Sequence, residues 1–110
     1  MKSFESFLAP QFNNFVAYRQ QLGYRLRPMR HHLLLFDRYV KNKKIRHGVL
    51  SPSFFLELRG DLKMEPKSVN GCLGSIRAFF NFMVRMGYYT ENPLKDIPRV
   101  SEHRFAPFIF

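Results

Sequence analysis

Several residue types are scarce in this sequence, and each scarcity excludes a class of protein. There is one cysteine, Cys72, so the chain forms no internal disulfide, and a lone thiol is typical of a reducing compartment. No apolar run approaches the roughly 20 residues that span a bilayer, and residues 1–5 lack the apolar stretch of a signal peptide. We therefore expect a cytoplasmic protein with no membrane span.

Acidic residues are also few, with 8 Asp and Glu against 18 Lys and Arg, which gives a formal net charge of +10 on 110 residues. In a compact chain the excess positive side chains repel one another unless an anionic partner binds them. Nucleic acid is the first candidate partner. A membrane surface ranks lower, because the apolar stripes described below are needed for a core. Hydrophobic residues make up 45% of the chain, which argues against disorder.

Motifs of catalysis and metal binding are missing as well. The sequence has no glycine-rich phosphate loop, no H-E-x-x-H, no C-x-x-C and no G-x-S-x-G. His31 and His32 are adjacent, so they point in different directions on a helix, and no second His or Cys cluster completes a metal site. We expect a binding module and not an enzyme, with no metal and no cofactor.

Apolar spacing predicts an all-α fold with four main helices. The predicted helices cover residues 10–22 and 28–42, a third starting at 51–52, and 66–87. In the first, Phe12, Phe15, Val16, Arg19 and Leu22 fall on one face, and Gly23 suits a left-handed C-cap. A short fifth helical turn is expected from Asn92-Pro93, followed by an extended tail from residue 99 onward.

The outer face of the fourth predicted helix is small or basic. With the apolar stripe turned inward, the outward residues are Lys67, Gly71, Gly74, Ala78, Asn81 and Arg85, with Ser75 close behind. Glycine inside an exposed helix costs about 1 kcal/mol relative to alanine. A DNA groove or phosphate strand that needs close approach would compensate for both glycines. The alternative is that another helix packs on this face, or that the glycines are merely tolerated.

Basic residues also gather around the second predicted helix. Arg25, Arg27 and Arg30 cluster at its start, where positive charge opposes the helix dipole and indicates a functional demand. Arginine suits both phosphate and the edge of guanine. The densest basic run, residues 41–47, follows this helix. For each cluster the alternative interpretation is a solvated basic face.

Two stretches of the chain resemble a known family. YRQQLGYRLR at 18–27, with LLLFDRY at 33–39, resembles the first two helices of the core-binding domain of tyrosine recombinases, the phage-type integrases. Residues 67–83, followed by Gly87-Tyr88 and ENPL at 91–94, resemble the fourth helix of that domain and its exit, and this stretch is the more specific. Residues 98–110 are similar to the linker that leads into the catalytic domain.

The resemblance implies a compact, four-helix, SAM-like orthogonal bundle over residues 1–98 and a linker over 99–110 toward a catalytic domain that this chain lacks. It implies binding of double-stranded DNA at a recombination half-site, together with the protein's own catalytic domain and neighbouring protomers. Strand cleavage and rejoining would belong to the missing domain. Carried over by position, the DNA-binding candidates are Arg25, Arg27, Arg30, His31, Lys67, Ser68, Asn70, Gly71, Ser75 and Arg77.

Two of these candidate positions depart from the family pattern. Gly71 and Ser75 stand where the family often carries longer polar side chains, so backbone contact is expected there more than base reading. The alternative function is a helical protein-interaction module with an acidic partner. Leu34 and Leu35, expected to be exposed, and the apolar residues 108–110 support that alternative.

Overall fold

A computed structural model describes residues 3–101, and this part of the chain folds into four helices. They are α1 (Ala9–Gln21), α2 (Arg27–Asn42), α3 (Pro52–Asp61) and α4 (Pro66–Arg85). No strand occurs within these residues, so the predicted all-α class is confirmed. Most of the predicted linker, residues 102–110, lies outside the described residues.

The helix boundaries follow from proline and glycine. Each helix carries a proline in its first two positions, where the missing N–H costs no hydrogen bond. After α1, Gly23 has φ +86°, a left-handed conformation that glycine adopts without strain. Its N–H donates to the Gln20 carbonyl (3.0 Å), and the Tyr24 N–H donates to the Arg19 carbonyl (3.2 Å). These two bonds form a Schellman motif, which confirms the predicted C-cap.

A core rich in phenylalanine holds the helices together. Phe36 of α2 lies at its centre and is 0% exposed. Ring centroids of Phe12 (5.9 Å), Phe55 (5.7 Å) and Phe80 (6.0 Å), one from each other helix, surround it. Burial of such large apolar surfaces is the main favourable term in folding. Phe36 therefore links α2 to each of the other three helices.

Next to Phe36, α2 buries a carboxylate. Asp37 is 0% exposed and accepts hydrogen bonds from the backbone N–H groups of Glu5 (2.9 Å) and Ser6 (2.8 Å). The segment before α1 is thereby fastened to α2, with Phe4 and Leu8 buried in the core. A carboxylate that accepts two backbone bonds retains enough polar contact to be buried.

Residues 93–96 after α4 form a hydrogen-bonded turn, at the place where the sequence predicts a short fifth helical turn. The N–H of Lys95 donates to the Asn92 carbonyl and that of Ile97 to the Leu94 carbonyl, both over 3.1 Å. Leu94 and Ile97 are buried, and the turn packs back on α4, where the Asn92 amide donates to the Arg77 carbonyl (2.9 Å). This return of the chain covers one edge of α4.

Some side chains differ from the sequence expectations. Leu22, predicted to face inward, is 56% exposed, because α1 ends at Gln21 and the backbone turns into the Schellman motif. Leu34 and Leu35, expected to be exposed, are half-buried.

Cys72 is buried among apolar neighbours, and burial raises the pKa of its thiol to about 11. Within residues 3–101 no helix combines the length and apolar character needed to cross a membrane.

Candidate nucleic-acid interface

The N-terminal halves of α2 and α4 meet at His32. Its Nδ1 lies 2.7 Å from the Ser75 hydroxyl, and the Cys72 thiol lies 3.8 Å from its carbonyl oxygen. A Cβ placed on Gly71 would lie 3.5 Å from the His32 ring, so the small residue lets α2 come close. His31 and Gly71, both exposed, therefore border the same region of surface. Lys67 lies one helical turn before Gly71 on the same side of α4.

The predicted DNA-binding residues fall into three groups. Arg30 is half-buried, with its guanidinium 4.9 Å from the Phe4 ring centroid. Three others are engaged inside the protein and are described below. The exposed residues, which can reach a partner, are Arg25, Arg27, His31, Lys67, Ser68 and Gly71.

The structure gives Asn70, Ser75 and Arg77 roles within the fold. Asn70 is 8% exposed, and its amide exchanges two hydrogen bonds of 2.8 Å with the Val100 backbone. Ser75 is 9% exposed and holds His32, while Arg77 donates to the carbonyls of residues 94 and 97. The family resemblance assigned these residues to DNA binding, but the segment that follows α4 folds against Asn70 and Arg77, and α2 covers Ser75. We therefore remove all three from the DNA-binding set.

The outer face of α4 is open at its second glycine. A Cβ on Gly74 would meet no atom of the described residues within 4 Å. Packing of another helix, the alternative raised by the sequence, therefore does not account for Gly74 in this part of the chain. The helix keeps its least stabilising residue at an exposed position, which is consistent with close approach by a partner.

The basic clusters differ in how far carboxylates neutralise them. In the basic run that starts in the last turn of α2, Lys41 pairs with Glu5, and Lys43 lies 3.4 Å from Glu57 and 3.8 Å from Asp61. Among the described residues, by contrast, Arg25, Arg27 and Lys67 form no ion pair. Two lysines of the run are thus partly neutralised by carboxylates, whereas the basic residues at the starts of α2 and α4 are not.

One cavity borders this region, and a second lies farther along α4. A groove of about 400 Å³ between α1 and α2 is lined by the apolar Val16, Leu26 and Leu34 and by the basic Arg27 and His31. A notch of about 250 Å³ lies between α1 and the C-terminal half of α4, and its lining includes Arg19 and Arg85. Sequence reasoning missed Arg19 as a surface residue. The sequence feature that could have indicated its exposure is that Arg19 is the only polar member of an otherwise apolar stripe.

The contact between α2 and α4 has a pH-dependent consequence. Burial lowers the pKa of His32, and the charge of His31 lowers it further. The unfolded chain therefore takes up a proton near pH 6.5, before the folded protein does. We expect stability to be complete above this pH and to fall as the pH drops through it toward the lower folded pKa.

Urea unfolding at pH 7.5 and 5.5 measures this loss. The His32→Gln variant should lose less stability between the two conditions than the native chain. Equal losses in the two proteins would contradict the assignment to His32.

Comparison with family models, curated proteins and solved structures found no match to this chain. The likeness to tyrosine recombinases therefore rests on the sequence stretches quoted above. Residues 3–101 contain no group of three His, Cys, Asp or Glu side chains placed to hold a metal ion.

Proposed function

We propose that this chain binds double-stranded DNA through the α2–α4 surface. This surface consists of Arg25, Arg27, His31, Lys67, Ser68, Gly71 and Gly74. The observation that carries the proposal is the contact of His32 with Ser75 and Gly71, which brings the N-terminal halves of α2 and α4 together while Gly74 stays uncovered. Lysine and arginine side chains here would neutralise phosphates and release their counterions, which is the main source of non-specific DNA affinity.

The finer proposal follows from the resemblance described above. We propose that the chain is the SAM-like core-binding domain of a tyrosine recombinase that grips a recombination half-site. Residues 99–110 would lead toward a catalytic domain that cleaves and rejoins the strands, and this chain would supply grip and some site preference. For a domain acting without that partner we expect dissociation constants of about 10⁻⁴ to 10⁻⁶ M, the non-specific range.

The test reverses or adds one charge on the surface. Lys67→Glu should weaken binding to a labelled duplex at low salt by about tenfold, the effect of one charge-assisted hydrogen bond. Gly74→Glu should weaken it at least as much, because the new carboxylate stands where the duplex approaches. Neither change should unfold the domain, since Lys67 is exposed and a Cβ at Gly74 meets open space. Fluorescence anisotropy titration measures both affinities.

Each variant has a matched control elsewhere on the molecule. Arg46→Glu reverses an exposed charge beyond the far end of α2, and Gly60→Glu changes a glycine of α3 whose Cβ would also meet open space. Both controls should bind with nearly native affinity. The proposal fails if the native chain binds no duplex at low salt, or if each control weakens binding as much as its partner variant.

The α1–α2 groove favours a second candidate function, the docking of an acidic protein segment. Its half-buried Leu34 would contact an apolar side chain, while Arg27 and His31 would meet carboxylates. The same titration separates the two functions. A docking module would show no duplex binding at low salt and would show NMR shifts at Leu34 with an acidic amphipathic peptide.

A further inference from the structure

The notch between α1 and α4 lies apart from the helix starts that define the α2–α4 surface. Arg19 and Tyr24 border it from α1 and the following turn, and Asn81 and Arg85 border it from the C-terminal half of α4. These two arginines differ from ordinary surface arginines in two respects, their fixed position and their lack of a counter-ion.

Arg19 is held by aromatic rings. Its guanidinium carbon lies 4.0 Å from the Tyr24 ring centroid and 5.6 Å from that of Phe15. Tyr24 is brought back over Arg19 by the Schellman motif, which depends on the positive φ of Gly23. Stacking restricts the rotamers of this long side chain before any ligand binds. Less entropy is therefore lost when a ligand binds.

Arg85 is held by a hydrogen bond. Its Nη1 donates to the Tyr18 hydroxyl over 2.6 Å, and its guanidinium carbon lies 5.9 Å from the centroid of the same ring. Asn81 completes this side, because its Oδ1 accepts from the Asn92 amide (2.8 Å). That bond orients the Asn81 side chain so that its own NH₂ group remains a donor.

Neither guanidinium is neutralised within the described residues. No carboxylate of residues 3–101 forms an ion pair with Arg19 or Arg85, and the Arg19 Nε–H is buried there without an acceptor. Two fixed like charges beside one cavity repel each other unless an anion lies between them. Planar guanidinium donors match the oxygens of phosphate, often in pairs.

We propose that the notch between Arg19 and Arg85 is a phosphate-binding site. The two guanidinium groups and the Asn81 amide donate to the phosphate oxygens, and Tyr18 and Tyr24 act as positioning residues that hold the arginines. The ligand class is a phosphate group, supplied either by a nucleic-acid backbone or by a free phosphate compound.

The geometry of α4 connects this site to the proposed function, on which the following step rests. Lys67 and Arg85 are 18 residues apart, or five full helical turns, so they lie on the same side of α4 about 27 Å apart. A duplex that rises 3.4 Å per base pair covers this distance in about 8 base pairs. A duplex lying along α4 would thus contact one basic site at each end of the helix.

The test uses the full chain in two arms. In the first arm, inorganic phosphate is titrated while NMR follows the side-chain Nε–H signals of Arg19 and Arg85. Both signals should shift in the native chain, and the Arg85 signal should lose this response in Arg19→Gln. Arg19→Lys keeps the charge but loses the planar stack, so it should weaken the response. Unmoved signals in the native chain would overturn the proposal.

The second arm measures duplex binding against salt. Arg85→Gln should reduce the slope of log K against log salt by about 0.9, and the double variant with Arg19→Gln by about 1.8. Arg46→Gln is the matched control and should leave the slope unchanged. Circular dichroism verifies that each variant remains folded.

The arms distinguish the source of the phosphate and the two proposals. An unchanged slope together with a phosphate response in the first arm assigns the notch to free phosphate compounds and overturns the contact with DNA. If the native chain binds no duplex, the proposed function fails, and the first arm still decides the notch by itself.

Discussion

The Phe36→Ala variant should lose about 4 kcal/mol of unfolding free energy, which is the largest effect we expect from a single substitution. Phe36 has no solvent exposure and contacts rings from all three other helices. Removing it leaves a cavity that three helices would have to move to fill. Urea unfolding followed by far-UV circular dichroism is the suitable measurement, because the chain has no tryptophan.

Two further variants calibrate this result. Phe36→Leu keeps much of the volume and should cost clearly less than the alanine variant. Leu56→Ala removes an apolar side chain that is half exposed on α3 and should change stability by no more than about 0.5 kcal/mol. If Phe36→Ala costs no more than Leu56→Ala, Phe36 does not have the central position described above.

The Asp37→Ala variant should lose about 3 kcal/mol of unfolding free energy. The substitution removes a charged acceptor and leaves the N–H groups of Glu5 and Ser6 without their partner in the protein. Because the Ser6 bond is buried, the freed donor cannot be fully solvated without displacing the N-terminal segment. Urea unfolding measures the loss, and faster hydrogen exchange at these two amides locates it.

Asp96→Ala is the matched control, since Asp96 is exposed on the turn that follows α4. It should change the unfolding free energy by no more than about 0.5 kcal/mol. Asp37→Asn should fall between the two alanine variants, because it keeps one acceptor oxygen but turns an NH₂ group toward a backbone donor. A native-like stability for Asp37→Ala would contradict the described fastening of the N-terminal segment.

These two residues explain why α2 can carry a charged outer face. Phe36 and Asp37 fix its inner side to the core and to the N-terminal segment, while Arg27 and His31 stay exposed at its start. Charge placed on the outer side therefore does not compete with the contacts that hold the helix. Binding defects of variants at the α2–α4 surface can then be interpreted as effects on the interface and not on folding.

Much of the local structure could be predicted from the sequence. The starts of all four helices lie within one residue of the prolines or boundaries inferred from spacing, and Gly23 caps α1 as expected. The outward position of Lys67, Gly71 and Gly74 also followed from the period of the helix. These features depend on backbone restrictions and on neighbours a few residues away, which any single sequence displays.

The exposure of polar residues at the helix edges could not be predicted in this way. Asn70 and Arg77 were assigned to DNA binding, but they hold the returning segment after α4. Asp37 sits four residues after Leu33 at the border of the apolar stripe of α2, and no local pattern showed that two distant N–H groups would meet it. Each of these roles is set by residues 15 or more positions away in the chain.

The sequence alone determined that the chain is helical and where its helices begin. These properties follow from proline, glycine and apolar period, which act over one or two helical turns. Only the tertiary structure decided which polar residues remain exposed, that Tyr24 returns over Arg19, and that His32 joins α2 to α4. Such contacts depend on how distant segments pack, and packing depends on the shape of the whole core.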